Sequence, residues 1–318
     1  MFELAIDMSE FRVPTDDALA RARQIGATQI YAAGVQNGED APLPVTAMTD
    51  AQADDLARRV AAHELRIVEL NSGTFKQVHL CELELGAVDE HPQYAEQLRN
   101  LERALQVAQR LDVPAVTCFA FAWPGEYGPG AKSTWPMRWA TRGGLISNTD
   151  MDKLEQAFAP ILALAERYEV DLRVMQMAWN YTNTSGNFRR IAERLGSPPR
   201  LRLKWCPADG LNSGELDVAT AGLRNVLPYV SSIHIKDLAV HDGPNNGFRY
   251  ELVGDGQVAY GQILSGLVAA GCYPLLSVAS HVGGGTPDGN DPEKTTDWLR
   301  RNYQTVTRLA EAAVDARA

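Results

Sequence analysis

Cysteine is scarce in this sequence and follows no pattern. Cys81, Cys118, Cys206 and Cys272 are the four present, and no two lie within 30 residues of each other. That spacing excludes a CxxC redox pair, a zinc knuckle and a c-type haem attachment. Cys118 and Cys206 fall in runs that read as buried strands, where a free thiol behaves as a small hydrophobe. Positive charge is also short: 30 Lys and Arg face 40 Asp and Glu, for a net charge of -10. A protein held to nucleic acid by phosphate contacts needs a basic field, as does one drawn to an anionic membrane, so neither partner is expected. No apolar run approaches the ~20 residues of a membrane span. The opening MFELAIDMSEF reaches acidic residues at once and lacks the basic-then-apolar order of a secretory signal, which makes the cytoplasm the expected location. The glycine-rich turn of a dinucleotide fold is missing after the first strand, where Asp7-Met8-Ser9-Glu10 stands instead. A phosphate-cradling G-x-x-x-x-G-K-[ST] loop is missing as well.

What the sequence does have is alternation. Its 318 residues, 45% hydrophobic and 22% charged, are enough for one large α/β domain or two medium ones. Short apolar runs predict strands at 2–7, 28–33, 66–71, 115–121, 171–178, 201–207, 231–237 and 274–280. Amphipathic helices separate them. One opens at Pro14-Thr15 with Thr15 as its expected N-cap and closes at Gly26. Others run from Thr49 to about 63, over 94–111, from about 152 to 168, over 188–195, from 218 to about 230, over 260–270 and from 291 to 315. Strands alternating with helices imply parallel pairing with right-handed crossovers. Eight such units across this length predict one (β/α)8 TIM barrel domain over residues 1–318, with long insertions at about 34–48 and 122–148. A doubly wound sheet is the second reading.

In such a barrel the reactive groups stand at the C-terminal strand ends and in the loops that follow. That rule selects Asp7, Glu69, Asn71, Gln176, Cys206, Asp209, His234, Lys236, Asp237, Ser280 and His281. His234 and Lys236 share one alternation phase, so both can face the interior. A lysine at that depth is costly unless paired, which makes it either a salt-bridged structural group, with Glu69 one candidate partner, or part of a functional site. The insertion from residue 122 carries Trp123, Trp135 and Trp139, three of the chain's six tryptophans, with Arg138 and Arg142 beside them. One reading is a lid over a small organic substrate, its arginines facing a carboxylate, phosphate or ring hydroxyl. The other is an aromatic loop packed on the barrel rim or in an oligomer contact.

Over its whole length, and most clearly from Leu201 to Ala279, the chain resembles the xylose isomerase-like barrels: sugar isomerases and epimerases, inosose dehydratases and endonuclease IV. CPADGLNSGELD resembles that family's DPxN or DPGH element, VSSIHIKDLA its HxKD strand, and ELVGDGQVAYGQILSGLVAAGCYPLLSVAS its final glycine-rich turn, helix and strand. The resemblance implies a divalent metal held by Glu, Asp, His and Glu at the ends of the last four strands. Those positions fall here on Met175, Cys206, His234 and Ala279, and the second-strand Glu is absent from TQIYAAG. The expected metal site is therefore degenerate, and no cofactor is predicted. A rearranged site of His234, Asp209, Cys206 and His281 is chemically competent for Zn²⁺ and stays open. The leading reading is a sugar or polyol isomerase/epimerase-like enzyme that moves a proton next to a carbonyl without the usual metal. His234, Asp209, Lys236, His281 and Glu69 are its candidate catalytic residues. Trp123, Trp135, Arg138, Trp139, Arg142, Gln176 and Cys206 are candidates for contacting a small, polar, sugar-like substrate. A dehydratase or lyase acting on a keto-sugar or keto-inositol, and a non-catalytic ligand-binding or regulatory barrel, are the alternatives. The resemblance also implies a homodimer or homotetramer.

Overall fold

Branched and aromatic residues in the apolar runs, such as Ile30, Ile67, Val116, Val174 and Ile233, favour extended backbone, and each run folds as a strand. The computed structural model describes residues 1–38, 41–124, 146–240, 247–283 and 287–317. Its strands are β1 (Leu4–Asp7), β2 (Gln29–Ala32), β3 (Arg66–Asn71), β4 (Ala115–Cys118), β5 (Asp171–Met175), β6 (Leu201–Trp205), β7 (Val230–Ile235) and β8 (Leu275–Val278). Each pairs in parallel with its sequence neighbours, and β8 returns to β1, which closes the ring. The predicted (β/α)8 barrel is what forms.

The outer ring is built from α1 (Thr15–Ile25), α2 (Asp50–Ala62), α3 (Pro92–Arg110), α4 (Asn148–Tyr168), α5 (Ser185–Arg194), α6 (Pro207–Asn212), α7 (Leu223–Val226), α8 (Tyr260–Ala269) and α9 (Pro292–Asp315). Their buried faces carry residues such as Leu19, Leu56, Leu101, Phe158 and Leu299, and pack on the outward side chains of the strands. Each such side chain contributes about 1.5–3 kcal/mol by leaving water. Thr49 caps α2 in a reciprocal capping box with Gln52. Asp291 caps α9, with Pro292 in the first turn.

Four expectations need correction. Thr15 is the first helical residue rather than a cap, and its hydroxyl accepts from the Gln36 backbone N–H instead, tying α1 to the next loop. The predicted helix over 218–230 is broken. Val218–Gly222 winds wide, with Gly222 N–H bonding back to Asp217 C=O, before the single turn of α7. β4 stops at Cys118 because Phe121 adopts a left-handed φ of 57° and Ala122 bridges away to His79 and Asn180. β5 likewise ends at Met175, and the chain then tightens through Met177 C=O to Asn180 N–H. In the first insertion Gly34–Val35 pairs antiparallel with Leu43–Pro44. No helix among the described residues is long and apolar enough to cross a membrane.

The barrel axis is polar. Glu69 on β3 accepts from Lys204 Nζ of β6 at 2.8 Å, from Arg173 of β5 at 2.6 Å and from the Thr117 hydroxyl of β4. Lys204 also donates to Ser277 Oγ on β8 at 3.3 Å and lies 3.3 Å from the centre of the Tyr31 ring on β2. The register places Tyr31 opposite Glu69 and Thr117 opposite Arg173, so six strands send a partner to one level. Burial pushes the Glu69 carboxyl up, but the adjacent Lys204 and Arg173 charges outweigh it and hold the group at about 2. Burial pushes the Lys204 ammonium down, with Glu69 opposing. Glu69 is fully buried, so Glu69→Gln leaves Lys204 enclosed without the carboxylate that meets its Nζ. That substitution is expected to cost about 3–5 kcal/mol in urea unfolding at pH 7. Because the Glu69 carboxyl is held low, the difference from the parent protein should shrink as pH falls from the ordinary glutamate value of 4.5 toward about 2.

Candidate active site

Above that level, toward the C-terminal strand ends, a second set of ionisable groups closes over the axis. His234, the fifth residue of β7, and Lys236, just past its end, both point inward, as their shared phase predicts. Asp209 is brought to them by α6, which starts directly after Cys206 with Pro207 in its first turn. Lys236 Nζ lies 3.0 Å from Asp209 Oδ2, and both side chains are 1% exposed. The contact is an ion pair rather than a well-angled hydrogen bond, since Asp209 Oδ2 has no hydrogen-bond donor. Burial pushes the Lys236 ammonium down, but Asp209 outweighs it and raises the group well above its ordinary value. Lys236 is therefore a fixed cation. The expected Glu69–Lys236 pair does not form, because Lys204 takes Glu69 at the lower level and Asp209 takes Lys236 above it.

His234 is buried and its Nδ1 has no hydrogen-bond partner. Burial, followed by the positive charges of Lys236 and its neighbours, lowers its pKa well below 6.5. At neutral pH the ring is uncharged. His281 stands with its ring centre 5.5 Å from that of His234 and 5.0 Å from that of Tyr250. Its own backbone is left-handed, at φ 58°, a costly conformation for a residue with a side chain. Glu10 holds it there. Glu10 Oε1 lies 2.5 Å from His281 Nδ1, and Oε2 accepts from the backbone N–H groups of His281 at 2.8 Å and Ser280 at 3.3 Å. Burial pushes the Glu10 carboxyl up, but His281 outweighs it and brings it to about 2.

Two predicted residues are committed elsewhere. Gln176 donates to Asn183 C=O at 3.0 Å and accepts from Cys206 N–H at 3.4 Å, so it ties the ends of β5 and β6 together. Asp237 accepts from Leu238, Gly254 and Val258 N–H groups and secures the turn behind the Asp237–Val240/Phe248–Glu251 hairpin. Cys206 is fully buried, and burial with the nearby Asp209 charge pushes its thiol up, away from reactivity. Trp123 stacks on Tyr181 with ring centres 3.8 Å apart. Trp135, Arg138, Trp139 and Arg142 lie outside the described residues. Sequence reasoning missed Glu10, Lys204, Arg173 and Tyr250. Lys204 was detectable, since it alternates inward in LRLKW by the same phase argument that singled out His234.

A cavity of about 230 Å³ lies off the axis between α1 and the Gly34–Val35/Leu43–Pro44 hairpin. Its lining is mostly apolar and includes neither His234 nor Lys236. The axial cluster gathers the buried ionisable groups and is the better candidate site.

With this geometry in view, the chain can be set beside known proteins. The profile of the Xylose isomerase-like TIM barrel family matches residues 19–306. The chain belongs to that family. A xylose isomerase domain protein from Planctomyces limnophilus is 16% identical, with 98% of each chain covered and a TM-score of 0.68. A xylose isomerase-like TIM barrel protein from Mycobacterium smegmatis, described in complex with magnesium, is 13% identical over 99% of this chain and 98% of that one, with a TM-score of 0.71. An L-ribulose 3-epimerase is 15% identical over 98% and 96%, with a TM-score of 0.65. At such identities these structures share the fold. No match was found among curated protein sequences.

The positions where the family resemblance implies metal ligands can be tested against the side chains present. Met175 joins Phe119, Met177, Ala178 and Trp179 in an apolar cluster, and Ala279 offers only a methyl group. Hard divalent cations need oxygen ligands, which this set does not supply. Nor does the rearranged set assemble: among the described residues no three His, Cys, Asp or Glu side chains are placed to hold an ion. Asp209 is turned to Lys236 and His281 to Glu10.

The last strand end to weigh is Asp7, whose Oδ1 accepts from Ser9 N–H at 3.0 Å and Ser9 Oγ at 2.7 Å. Burial and the Glu10 charge raise its carboxyl from 3.8 to about 6. A carboxylate with a raised folded-state pKa destabilises the fold once it ionises, so the penalty grows between those two values and is fully present above them. Asp7→Asn keeps an acceptor for Ser9 and removes the charge. It should raise the melting temperature at pH 7.5 and leave it nearly unchanged at pH 3, which differential scanning calorimetry at the two pH values would show.

Proposed function

We propose that the protein is a sugar or polyol isomerase/epimerase-like enzyme that transfers a proton next to a carbonyl and uses the Lys236 cation in place of a divalent metal. The observation that carries this reading is the buried, uncharged His234 with a free Nδ1 beside the Lys236–Asp209 pair. His234 Nδ1 takes the proton from the carbon next to the carbonyl. The released electron pair moves onto the carbonyl oxygen, and Lys236 stabilises the resulting enediolate. Return of the proton to the former carbonyl carbon, with a hydroxyl proton passing from one oxygen to the other, gives isomerisation, and delivery of a solvent proton to the opposite face of the original carbon gives epimerisation. Asp209 holds Lys236 in place, and Glu10 holds His281 near the reacting region. The names of similar structures, which include an L-ribulose 3-epimerase and a D-psicose 3-epimerase, support a ketose-sized substrate.

The reaction can be read directly as deuterium uptake. Chelator-treated protein in D₂O should introduce deuterium beside the carbonyl of at least one member of a panel of ketoses and keto-inositols, followed by proton NMR. His234→Gln should slow this by about 10²–10⁴-fold, the usual contribution of a general base. The rate should stay level as pH falls through 6.5, because burial and Lys236 keep His234 uncharged there. Absence of exchange across the panel, coupled with ligand binding, would favour a non-catalytic barrel. Full exchange by His234→Gln would remove His234 from the mechanism.

A further inference from the structure

Lys76 is a cation at the mouth of the barrel that the proton transfer above does not use. It follows β3, and its neighbours fix its position firmly. Phe75, fully buried and left-handed at φ 62°, packs against Tyr94 and Phe121 with ring centres 5.6 and 5.4 Å away. Phe75 N–H donates to Gln97 at 3.2 Å, and the Lys76 carbonyl accepts from Asn180 Nδ2 at 3.2 Å. With its backbone pinned on both sides, the Lys76 side chain projects between two rings. Its Nζ stands 5.4 Å from the centre of Phe119 and 5.2 Å from that of Trp179.

These rings belong to the apolar cluster that includes Met175, where the family resemblance implies an acidic ligand. Among the described residues Lys76 has no carboxylate within ion-pair distance, whereas Lys204, Lys236 and His281 each have one. Burial and the Lys236 charge both press its ammonium toward losing its proton, against a weaker pull from Asp209. A half-buried ammonium flanked by ring faces and without a paired carboxylate gains most from an anion brought in by a ligand.

We propose that Lys76 anchors an anionic group, a carboxylate or a phosphate, on the substrate handled by His234 and Lys236. This rests on the sugar-like substrate proposed above and narrows it to sugar acids or sugar phosphates. Lys76 is a binding residue in this account, with His234 and Lys236 at the reacting end.

The test compares three ligands with one carbon skeleton by isothermal titration calorimetry: xylitol, xylonate and xylitol 5-phosphate. The parent protein should bind one or both anions about tenfold or more tightly than xylitol, the size of effect expected for a hydrogen bond to a charged group. Which anion gains identifies a carboxylate or a phosphate as the group recognised. In Lys76→Gln that preference should collapse toward one. In Lys76→Arg, which keeps the charge and serves as the control for folding, a substantial part should remain. Anions binding no better than xylitol, or a preference that survives Lys76→Gln, would overturn the anchor while leaving the sugar site standing. If none of the three binds, the sugar site fails and the anchor fails with it.

Discussion

A closed barrel of this size encloses an axis that water does not fill, and any charge placed there must bring its partner. The Glu69–Lys204 ion pair is the consequence on which the other features depend. It spans the ring from β3 to β6, draws in Arg173 and Thr117 from the intervening strands and Ser277 from β8, and rests on the Tyr31 ring. Buried pairs of this kind are a weak source of net stability compared with a well-packed apolar core. Their value lies in specifying one arrangement. A single register satisfies Glu69 from three strands at once, and that register sets the height at which His234 and Lys236 emerge above it.

The same rule governs the mouth. Lys236 takes Asp209 from the preceding strand–helix junction, between β6 and α6, and His281 takes Glu10 across the β1–β8 seam that closes the ring. Each carboxylate is occupied by a basic side chain of the protein. The arrangement inverts the electrostatics that the family resemblance implies. Several carboxylates around a divalent cation would leave a site short of fixed positive side chains. Here the Lys76 ammonium lies against the Phe119 and Trp179 rings of the apolar cluster that includes Met175, and the uncharged His234 shares its strand end with the Lys236 cation. The physical result is a place where negative charge can develop on a ligand oxygen without an ion to receive it.

Much of this was legible in the sequence, and the limits have physical causes. Alternation revealed eight strands and their helices because burial on one face imposes a period of two. The inward phase of His234 and Lys236 followed from the same period. Pairing was harder to read. Asp209 and Lys236 are adjacent only because β6 and β7 are neighbours in the barrel, and Glu10 meets His281 only because the ring closes, after almost the whole chain has passed. Glu69 was identified as important, but its partner was misassigned, because the inward lysine of LRLKW was passed over. Thr15 carried the residue type of a helix cap, yet tertiary contact with Gln36 claimed its hydroxyl. The tryptophan- and arginine-rich insertion drew attention by composition alone, and most of its candidates fall outside the described residues.

The central claim is that the His234 site works through fixed side-chain cations and lacks the donor set for a resident divalent metal. Titration of chelator-treated protein with Mn²⁺, followed by the electron paramagnetic resonance of the free hexaaqua ion, tests it most directly. Softer metals bind surface histidines more readily, whereas Mn²⁺ demands the oxygen-rich site that Met175, Cys206 and Ala279 do not provide. The account predicts that the free-ion signal grows with each addition as it does in buffer. Loss of that signal up to one equivalent, abolished by His234→Ala, would contradict it.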